Sequence, residues 1–174
     1  MRPPPHPLLR EVMRAAIACL VLLACNEQAS ETKSSQPASE TKVSTRSGNV
    51  EIVPAPAAGG IQELIAQEVA RGERDQVPVV VYVGATWCAP CRDFHAAAEA
   101  GTLDAALGPM RFLEFDLDRD GDQLRAAGYQ SKLVPLFARP LADGRASGTQ
   151  TDGVRSGGQY VEQLTPRIRE LFAR

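Results

Sequence analysis

The stretch of sequence that decides the fold is Val79-Val80-Val81-Tyr82-Val83-Gly84-Ala85-Thr86-Trp87-Cys88-Ala89-Pro90-Cys91. Its first five residues are an unbroken, β-branched-rich run, which predicts a strand covered on both faces in a parallel sheet. A Cys-x-x-Cys pair follows after a short turn, and a helix is predicted to begin at Cys88. The fold is therefore expected to centre on a strand, a turn and a helix, with both cysteines at the junction.

That position gives each cysteine a chemical use. A thiolate is the species that attacks a disulfide, and the free N–H groups at a helix N-terminus stabilise negative charge. We therefore expect the Cys88 thiol to ionise more readily than that of a free cysteine. Cys91 lies on the same helical face about one turn further on, so it can reach the Cys88 sulfur and resolve a mixed disulfide. Pro90 suits the first helical turn, and Trp87 is expected to shield the pair from one side.

The rest of the chain supplies strands and helices in alternation. Gly72 is expected to end the first helix, and Pro166 to kink or split the last one at Thr165. Asp143-Gly144 marks a hairpin turn. The order predicts an α/β fold in which a central mixed β-sheet is flanked by helices on both faces. The predicted strands are 50–53, 79–83, 113–117, 133–138 and 145–150, and the predicted helices are 61–72, 88–100, 102–107, 122–127 and 160–172.

Length and composition narrow the class further. The chain has 174 residues, of which 44% are hydrophobic and 23% charged, and this allows one ordinary domain with a tail. Collagen-like, repeat and fully disordered classes do not fit these fractions. A net charge of −2 with 5% aromatic residues gives no support for a nucleic-acid partner.

The first 24 residues are predicted to be an export signal. Three arginines precede an apolar run of about ten residues, which is the size of a signal-peptide core and too short to span a bilayer. The sequence Leu22-Leu23-Ala24-Cys25 resembles the bacterial lipoprotein processing box. This resemblance implies cleavage before Cys25 and acylation of that residue. An ordinary signal peptide cut elsewhere, a buried core helix and a second start at Met13 are the alternatives.

The segment 25–48 is predicted to be a flexible, low-complexity tether. It consists mainly of small and polar residues, so it cannot bury enough apolar surface to offset the entropy of ordering it. The folded domain is expected to span 49–174. With a lipid anchor at Cys25, the domain would be held at a bacterial membrane in the cell envelope, facing the periplasm.

From about Asn49 to Arg174 the chain resembles the thioredoxin superfamily. The resemblance depends on Trp87-Cys88-Ala89-Pro90-Cys91, on the strand before it, and on Val134-Pro135 at the start of a later strand. It implies a thioredoxin-like fold with a redox-active disulfide between Cys88, the attacking nucleophile, and Cys91, the resolving cysteine. It also implies a cis Pro135 and a substrate-binding surface formed by Trp87, Val134 and Pro135, in which the Val134 backbone pairs with an extended peptide.

The chain also departs from thioredoxins proper. They bury an Asp six residues before the first cysteine, where this chain has Tyr82. Their partner Lys has no obvious counterpart, and Glu114 or Asp116 occupies that neighbourhood. Proton handling at Cys91 is therefore expected to be slower or to use another group. His95 lies on the Cys91 face of the helix, where a solvated histidine is favoured over one that tunes the thiols.

Other interpretations of these residues are weaker. A disulfide that closes four residues would stabilise the fold little. Zinc needs about four ligands, and only Cys88, Cys91 and His95 cluster. The alternating acids from Asp116 to Asp122 lack the late Glu of a calcium loop and are interpreted as a solvated strand end and loop. Gly157-Gly158 is interpreted as the start of a helix. No metal or cofactor is expected.

These inferences predict a monomeric thiol–disulfide oxidoreductase acting on protein disulfides outside the cytoplasm. The Trp-Cys-x-Pro-Cys pattern resembles reductases, which favours reduction and implies electrons from an unidentified membrane donor. The alternative is a non-catalytic thioredoxin-like binding module, or a Cu(I) metallochaperone whose two thiolates hold the metal.

Overall fold

The computed structural model describes residues 49–153 and 159–173. The predicted signal and tether, the proposed acylation site Cys25 and the glycines at 157–158 lie outside the described residues. The elements are β1 (Val50–Pro54), α1 (Ile61–Asp75), β2 (Val79–Gly84), α2 (Ala89–Glu99), α3 (Asp104–Leu107), β3 (Met110–Asp116), α4 (Leu117–Ala126), β4 (Leu136–Pro140), β5 (Ala146–Asp152) and α5 (Tyr160–Glu170).

The five strands form one mixed sheet in the order β1-β3-β2-β4-β5. Strands β1, β3 and β2 are parallel, whereas β4 is antiparallel to both β2 and β5. The predicted hairpin between β4 and β5 is therefore confirmed. In β2 every residue is buried, as its continuous apolar run predicts for a central strand.

Each face of the sheet carries its own core. On one face, alternate strand residues such as Val80, Tyr82 and Phe112 pack with α2, α3 and α5. On the other face, Val81 and Leu113 pack with α1 and α4. The period-2 alternation of strand side chains divides the apolar residues between these two layers. The α/β thioredoxin-like fold, with a central mixed sheet between two layers of helices, is confirmed.

The prediction that Gly72 ends α1 is wrong. The helix continues to Asp75 and ends at Gln76, whose backbone is left-handed with φ 57°. Gly72 is buried, and a Cβ there would lie 2.5 Å from both the Val77 carbonyl oxygen and Cγ2 of Val79. This glycine therefore allows the helix to approach the following turn closely and does not stop the helix.

The prediction for the acidic segment is also wrong. Strand β3 begins at Met110, earlier than the predicted start at Leu113. Its first four residues are all buried, so this part of the strand lacks the alternation on which the prediction depended. It ends at Asp116, whose Oδ1 accepts the backbone N–H groups of Asp118 at 2.9 Å and Arg119 at 3.0 Å. This carboxylate caps α4, so Leu117 is helical and the acids 116–122 are not a solvated strand end and loop.

Pro166 does not split the last helix, which runs unbroken from Tyr160 to Glu170. Leu164 and Ile168, on either side of the proline, are both fully buried. Core packing of these two residues therefore stabilises the helix on both sides of Pro166, which lacks a backbone N–H group. Strand β4 starts at Leu136, later than predicted, directly after Pro135. Among the described residues, no helix combines the length and apolar character needed to cross a membrane.

Candidate redox site

Cys88 is the residue that caps α2. Its backbone is extended, with φ −81° and ψ 109°, and its Sγ accepts a hydrogen bond from the Cys91 N–H at 3.2 Å. Pro90 stands in the first turn, where its missing N–H removes no helical hydrogen bond. The structure therefore places the Cys88 sulfur at the N-terminal end of α2, directly after β2, as the sequence predicts.

The two cysteines are joined. Their sulfurs form a disulfide that closes the first turn of α2, and their Cα atoms lie 5.3 Å apart. Because a chain of four residues is closed, this bond constrains the unfolded state little. Its position at a helix terminus is better suited to exchange than to cross-linking.

The disulfide lies just beneath the surface. Cys88 and Cys91 are each 3% exposed, whereas Thr86, Trp87 and Ala89 around them are exposed. The oxidised sulfur pair is therefore largely buried behind an exposed turn.

Trp87 presents its ring to solvent, with 61% of the residue exposed. Its Nε1–H donates a hydrogen bond to Oδ2 of Asp118 at 2.9 Å, in the first turn of α4. The bond ties the turn before α2 to the segment that follows β3. Sequence reasoning missed Asp118, because nothing local in its acidic run distinguishes it from its neighbours.

Pro135 follows a cis peptide bond with Val134, as the resemblance implies. Leu136 pairs with Val83, so Pro135 lies beside the end of β2 and shares one edge of the sheet with the cysteine turn. Val134 packs against the core cluster that contains Cys88 and Cys91. Its carbonyl oxygen lies close to Gly153, where a Cβ would come within 2.5 Å of it.

Behind the disulfide, three polar side chains meet on the α2 face of the sheet. Tyr82 and Glu114 stand opposite each other on β2 and β3. Nε2 of His95, on α2, lies 2.7 Å from Oε1 of Glu114. The histidine is therefore held by an acid against the sheet, and the prediction of a solvated helix histidine is wrong.

The electrostatics of these three groups follow from that arrangement. The hydrogen bond to Glu114 raises the pKa of His95, and this outweighs the effect of partial burial. Burial raises the pKa of Tyr82, and the negative charge of Glu114 raises it further, so the phenol stays protonated. An imidazole that can take up a proton thus lies beside a hydroxyl that cannot lose one.

The Tyr82 hydroxyl is buried and has no hydrogen-bond partner among the described residues. A Cβ on Gly84 would lie 3.0 Å from Tyr82 Oη and 3.6 Å from Cys91 Sγ. Both atoms therefore border the space that the missing side chain of Gly84 leaves. The same glycine lines a cavity of about 320 Å³ that also reaches His95 and Glu114. Within 49–153 and 159–173, no three His, Cys, Asp or Glu side chains are placed to hold a metal ion.

One signal in the sequence could have located this cluster. Phe112 is a core residue, and alternation along the strand places Glu114 on the same face as Phe112, directly toward the helix that carries the cysteines. An acid at that position requires a partner, and His95 is one turn beyond Cys91. Both residues stand out in the sequence, but their contact with each other becomes visible only in the fold.

Comparison with known proteins gives similarity to thioredoxins. No family model matches the chain. A thioredoxin H-type from Chlamydomonas reinhardtii is 34% identical over 70 residues, which are 40% of this chain and 59% of the relative. The chain therefore matches less than two thirds of the length of that curated relative.

Several solved structures with similarity to this chain are also thioredoxins. A poplar thioredoxin h has a TM-score of 0.46 and 23% identity, covering 73% of this chain and 99% of its own. Thioredoxin O1 from Arabidopsis thaliana in the oxidised state has a TM-score of 0.43 and 19% identity, covering 72% and 99%. A Trichomonas vaginalis thioredoxin has a TM-score of 0.45 and 21% identity, covering 68% and 96%.

The strand order, the joined cysteines at the start of α2 and the cis proline beside them define a thioredoxin-like protein with a close cysteine pair. The curated relative is itself a thioredoxin, which agrees with this classification.

Proposed function

We propose that this protein is a thiol–disulfide oxidoreductase that reduces disulfides in other proteins. The observation that carries the proposal is the Cys88–Cys91 disulfide at the N-terminus of α2, beside Pro135. In the reduced pair, the helix N-terminus stabilises the thiolate of Cys88. Cys91, one turn further on, supplies the thiol that resolves the mixed disulfide. The two sulfurs can therefore exchange a pair of electrons without any cofactor.

The reaction balances on sulfur alone. The Cys88 thiolate attacks a substrate disulfide, so that one substrate sulfur leaves as a thiolate and a mixed disulfide forms. Deprotonated Cys91 then attacks the Cys88 sulfur, which releases the second substrate thiol and closes the Cys88–Cys91 bond. The substrate gains two electrons and the protein loses two, so a donor must reduce the protein again.

The substrate surface is proposed to be formed by Trp87, Val134 and Pro135. The exposed indole offers an apolar platform, and the cis proline lies at the same edge of the sheet as the cysteine turn. Cys88 is 3% exposed in the disulfide-bonded form. The reduced protein is the form that has to present Cys88 to a substrate.

Trapping with single-cysteine variants tests this function directly. Reduced Cys91→Ser should accumulate mixed disulfides with substrate proteins through Cys88, because no second thiol can release them. Cys88→Ser is the matched control, and it should accumulate far fewer. The reduced wild-type protein should lose two thiols together in a glutathione redox titration and should reduce insulin.

Three outcomes would overturn the proposal. The first is a reduced protein in which iodoacetamide fails to alkylate Cys88 under native conditions. The second is a Cys91→Ser variant that traps no more protein than Cys88→Ser does. The third is stoichiometric Cu(I) binding by the pair without any disulfide reduction, which would identify the binding-module alternative as correct.

We further propose that the protein acts in the cell envelope, attached through lipid on Cys25 and facing the periplasm. The support is the order of charged leader, apolar run and cysteine in the sequence, followed by a polar segment that can act as a tether. Several acyl chains on one residue give a stable anchor. The electron donor would then be a membrane protein.

Mass spectrometry of the protein from membranes tests the anchor. Cleavage before Cys25 with acyl mass on that residue is expected, and Cys25→Ser should release the domain from the membrane fraction. A membrane-free protein with an unmodified Cys25 would contradict this part of the proposal and leave the thiol chemistry untouched.

A further inference from the structure

We propose that Ser131 and Asp152 are positioning residues that hold the edge at Val134 in the conformation needed to receive a substrate peptide. The inference rests on the proposed function, in which the Val134-Pro135 segment forms part of the substrate surface, and it assigns the groups that shape that surface. Both residues act through the backbone that leads to Val134, and neither takes part in the exchange between the sulfurs.

The edge at Val134 belongs to an irregular segment. Residues 130–135 lie between α4 and β4 and belong to no helix or strand. Segments of this kind are the more mobile parts of most proteins, and a peptide that has to order one on binding is bound more weakly. A backbone edge that pairs with an extended peptide therefore binds better when the protein fixes it beforehand.

The Ser131 hydroxyl makes two hydrogen bonds that fix this segment. Its Oγ donates to Oδ2 of Asp152 at 2.6 Å and accepts the backbone N–H of Leu133 at 3.0 Å. Leu133 directly precedes Val134, so the second bond sets the course of the backbone one residue before the proposed docking position. One hydroxyl thus joins the segment both to β5 and to its own following peptide group.

Asp152 is itself held in place. It is the last residue of β5 and pairs with Leu136, the first residue of β4. Arg167 of α5 donates a hydrogen bond from Nη1 to the Asp152 backbone carbonyl at 3.0 Å, and its Nη2 lies 3.9 Å from Oδ1. The carboxylate that accepts the Ser131 hydroxyl is therefore attached to the sheet and to α5.

The effect of these bonds is expected in local order and not in overall stability. Both hydrogen bonds of Ser131 are exposed, and so is a third bond from Nε2 of Gln150 in β5 to the Gln130 carbonyl at 2.7 Å. Hydrogen bonds between exposed groups add little to the free energy of unfolding, because water replaces either partner. These three bonds converge on residues 130–133, which lead directly to the proposed docking position.

Ser147 offers a matched control within the same pair of strands. Its Oγ donates to the Arg139 carbonyl at 2.7 Å and accepts the Thr149 N–H at 3.2 Å, so it makes the same two kinds of hydrogen bond as Ser131. Ser147 is the second residue of β5, near the end at which that strand pairs with Pro140. Its bonds therefore lie at the opposite end of the β4–β5 pair from Pro135.

The kinetics of insulin reduction by the full-length protein, with dithiothreitol as electron source, test the assignment. Ser131→Ala should raise the KM for insulin about threefold to tenfold and change kcat by less than about twofold, because the substrate then has to order the segment on binding. Ser131→Thr keeps the hydroxyl and should restore the wild-type KM. Ser147→Ala should leave both constants unchanged.

A double-mutant cycle measures whether Ser131 and Asp152 act as one unit. Asp152→Ala removes the acceptor of the Ser131 hydroxyl and should raise KM by a similar factor. Because both variants break the same hydrogen bond, the double variant should have a KM no higher than that of the more affected single variant. Multiplied effects in the double variant would contradict a shared action on Val134.

A small aromatic disulfide separates docking from sulfur chemistry. It has no peptide backbone, so its reaction with the reduced protein should be affected less by Ser131→Ala than insulin reduction is. Equal KM values for insulin in wild type, Ser131→Ala and Asp152→Ala would overturn the inference. Equal losses with insulin and with the small disulfide would also overturn it, since they would indicate a change at the cysteines themselves.

Failure of the proposed function would look different. A wild-type protein that reduces neither insulin nor the small disulfide would count against the oxidoreductase function, and the inference would fall with it. Circular dichroism and a matched urea midpoint confirm that each variant is folded before it is compared. If Asp152→Ala does not fold, the exposed changes Ser131→Ala, Ser131→Thr and Ser147→Ala carry the test.

Discussion

Tyr82 and Glu114 stand directly opposite each other on the parallel strands β2 and β3, on the face of the sheet that packs against α2. The neutral phenol therefore borders a carboxylate in a largely buried layer. Nε2 of His95, on α2, lies 2.7 Å from the Glu114 carboxylate and supplies a counter-charge when the imidazole is protonated. Together these residues form a polar cluster immediately beyond the aromatic core of Phe94, Phe112 and Phe137.

The His95–Glu114 pair should make folding stability depend on pH. The pKa of His95 is raised in the folded protein above its ordinary 6.5, so the pair adds stability that is full below about pH 6.5. That stability is lost as the pH rises through the folded-state pKa. Because both side chains are partly exposed, the effect should be below about 1 kcal/mol.

Urea denaturation of wild type and His95→Gln at pH 6 and pH 9 measures it. The difference in unfolding free energy between the two proteins should be larger at pH 6. An equal difference at both pH values would show that the pair contributes through hydrogen bonding or packing alone.

Asp120 should be far more important to stability than its neighbour Asp122. Asp120 is 5% exposed, and its Oδ2 accepts the Asp116 N–H at 3.1 Å and pairs with Arg119 at 2.7 Å. Asp120→Ala removes the acceptor of the partly buried Asp116 N–H group and the partner of Arg119, which should cost about 1–3 kcal/mol. The Asp122 side chain is 97% exposed, so Asp122→Ala should change stability by less than about 0.5 kcal/mol. Similar urea midpoints for the two variants would contradict this.

Trp87 should lose its fixed orientation when Asp118 is replaced. The indole is exposed and is held by one hydrogen bond from Nε1 to Oδ2 of Asp118 at 2.9 Å. Since the sequence has one tryptophan, its fluorescence anisotropy reports on this ring alone. Asp118→Ala should lower the anisotropy and cost less than about 1 kcal/mol, because the bond is solvent-exposed. Unchanged anisotropy, with Asp122→Ala as control, would show that packing and not the hydrogen bond orients the ring.

The fold could be predicted because its signals are local. The apolar run 79–83 predicts a central strand, and in the structure it is buried on both faces. The Cys-x-x-Cys pair with Pro90 predicts the start of the helix that follows. These features depend on residues adjacent in the sequence. The errors at Gly72 and Pro166 arose because a tertiary contact overrides the local rule. A close approach to Val77 retains the glycine inside a helix, and the core around Leu164 and Ile168 holds a helix across the proline.

The polar cluster behind the disulfide could not be predicted in the same way. His95, Glu114 and Tyr82 come from three elements, and their meeting depends on strand register and on the rotation of α2. The Trp87–Asp118 bond likewise joins residues 31 positions apart. Tyr82, Glu114 and His95 can be singled out from the sequence as candidate residues near the cysteines. Which of them contact each other is determined by the fold.

Gly153 should be required for the geometry beside the disulfide. A Cβ at this position would lie 2.5 Å from the Val134 carbonyl oxygen and 3.4 Å from Cδ of Pro135. Gly153→Ala therefore has to push the Val134-Pro135 segment away, which should cost about 1–3 kcal/mol, the usual range for overpacking. Because this segment is the proposed docking edge for protein substrates, insulin reduction should fall more than the reaction with a small aromatic disulfide.

Gly121→Ala is the matched control for that change. Gly121 lies inside α4, and a Cβ there meets only Leu117 Cδ1 at an ordinary 3.6 Å. Alanine is the better helix former by about 0.5–1 kcal/mol, so this variant should be more stable than wild type and equally active. A Gly153→Ala protein with wild-type stability and unchanged insulin reduction would mean that the Val134-Pro135 backbone can move away from the added methyl group at little cost. In that case Val134 and Pro135 would not be the rigid surface on which substrate recognition is proposed to depend.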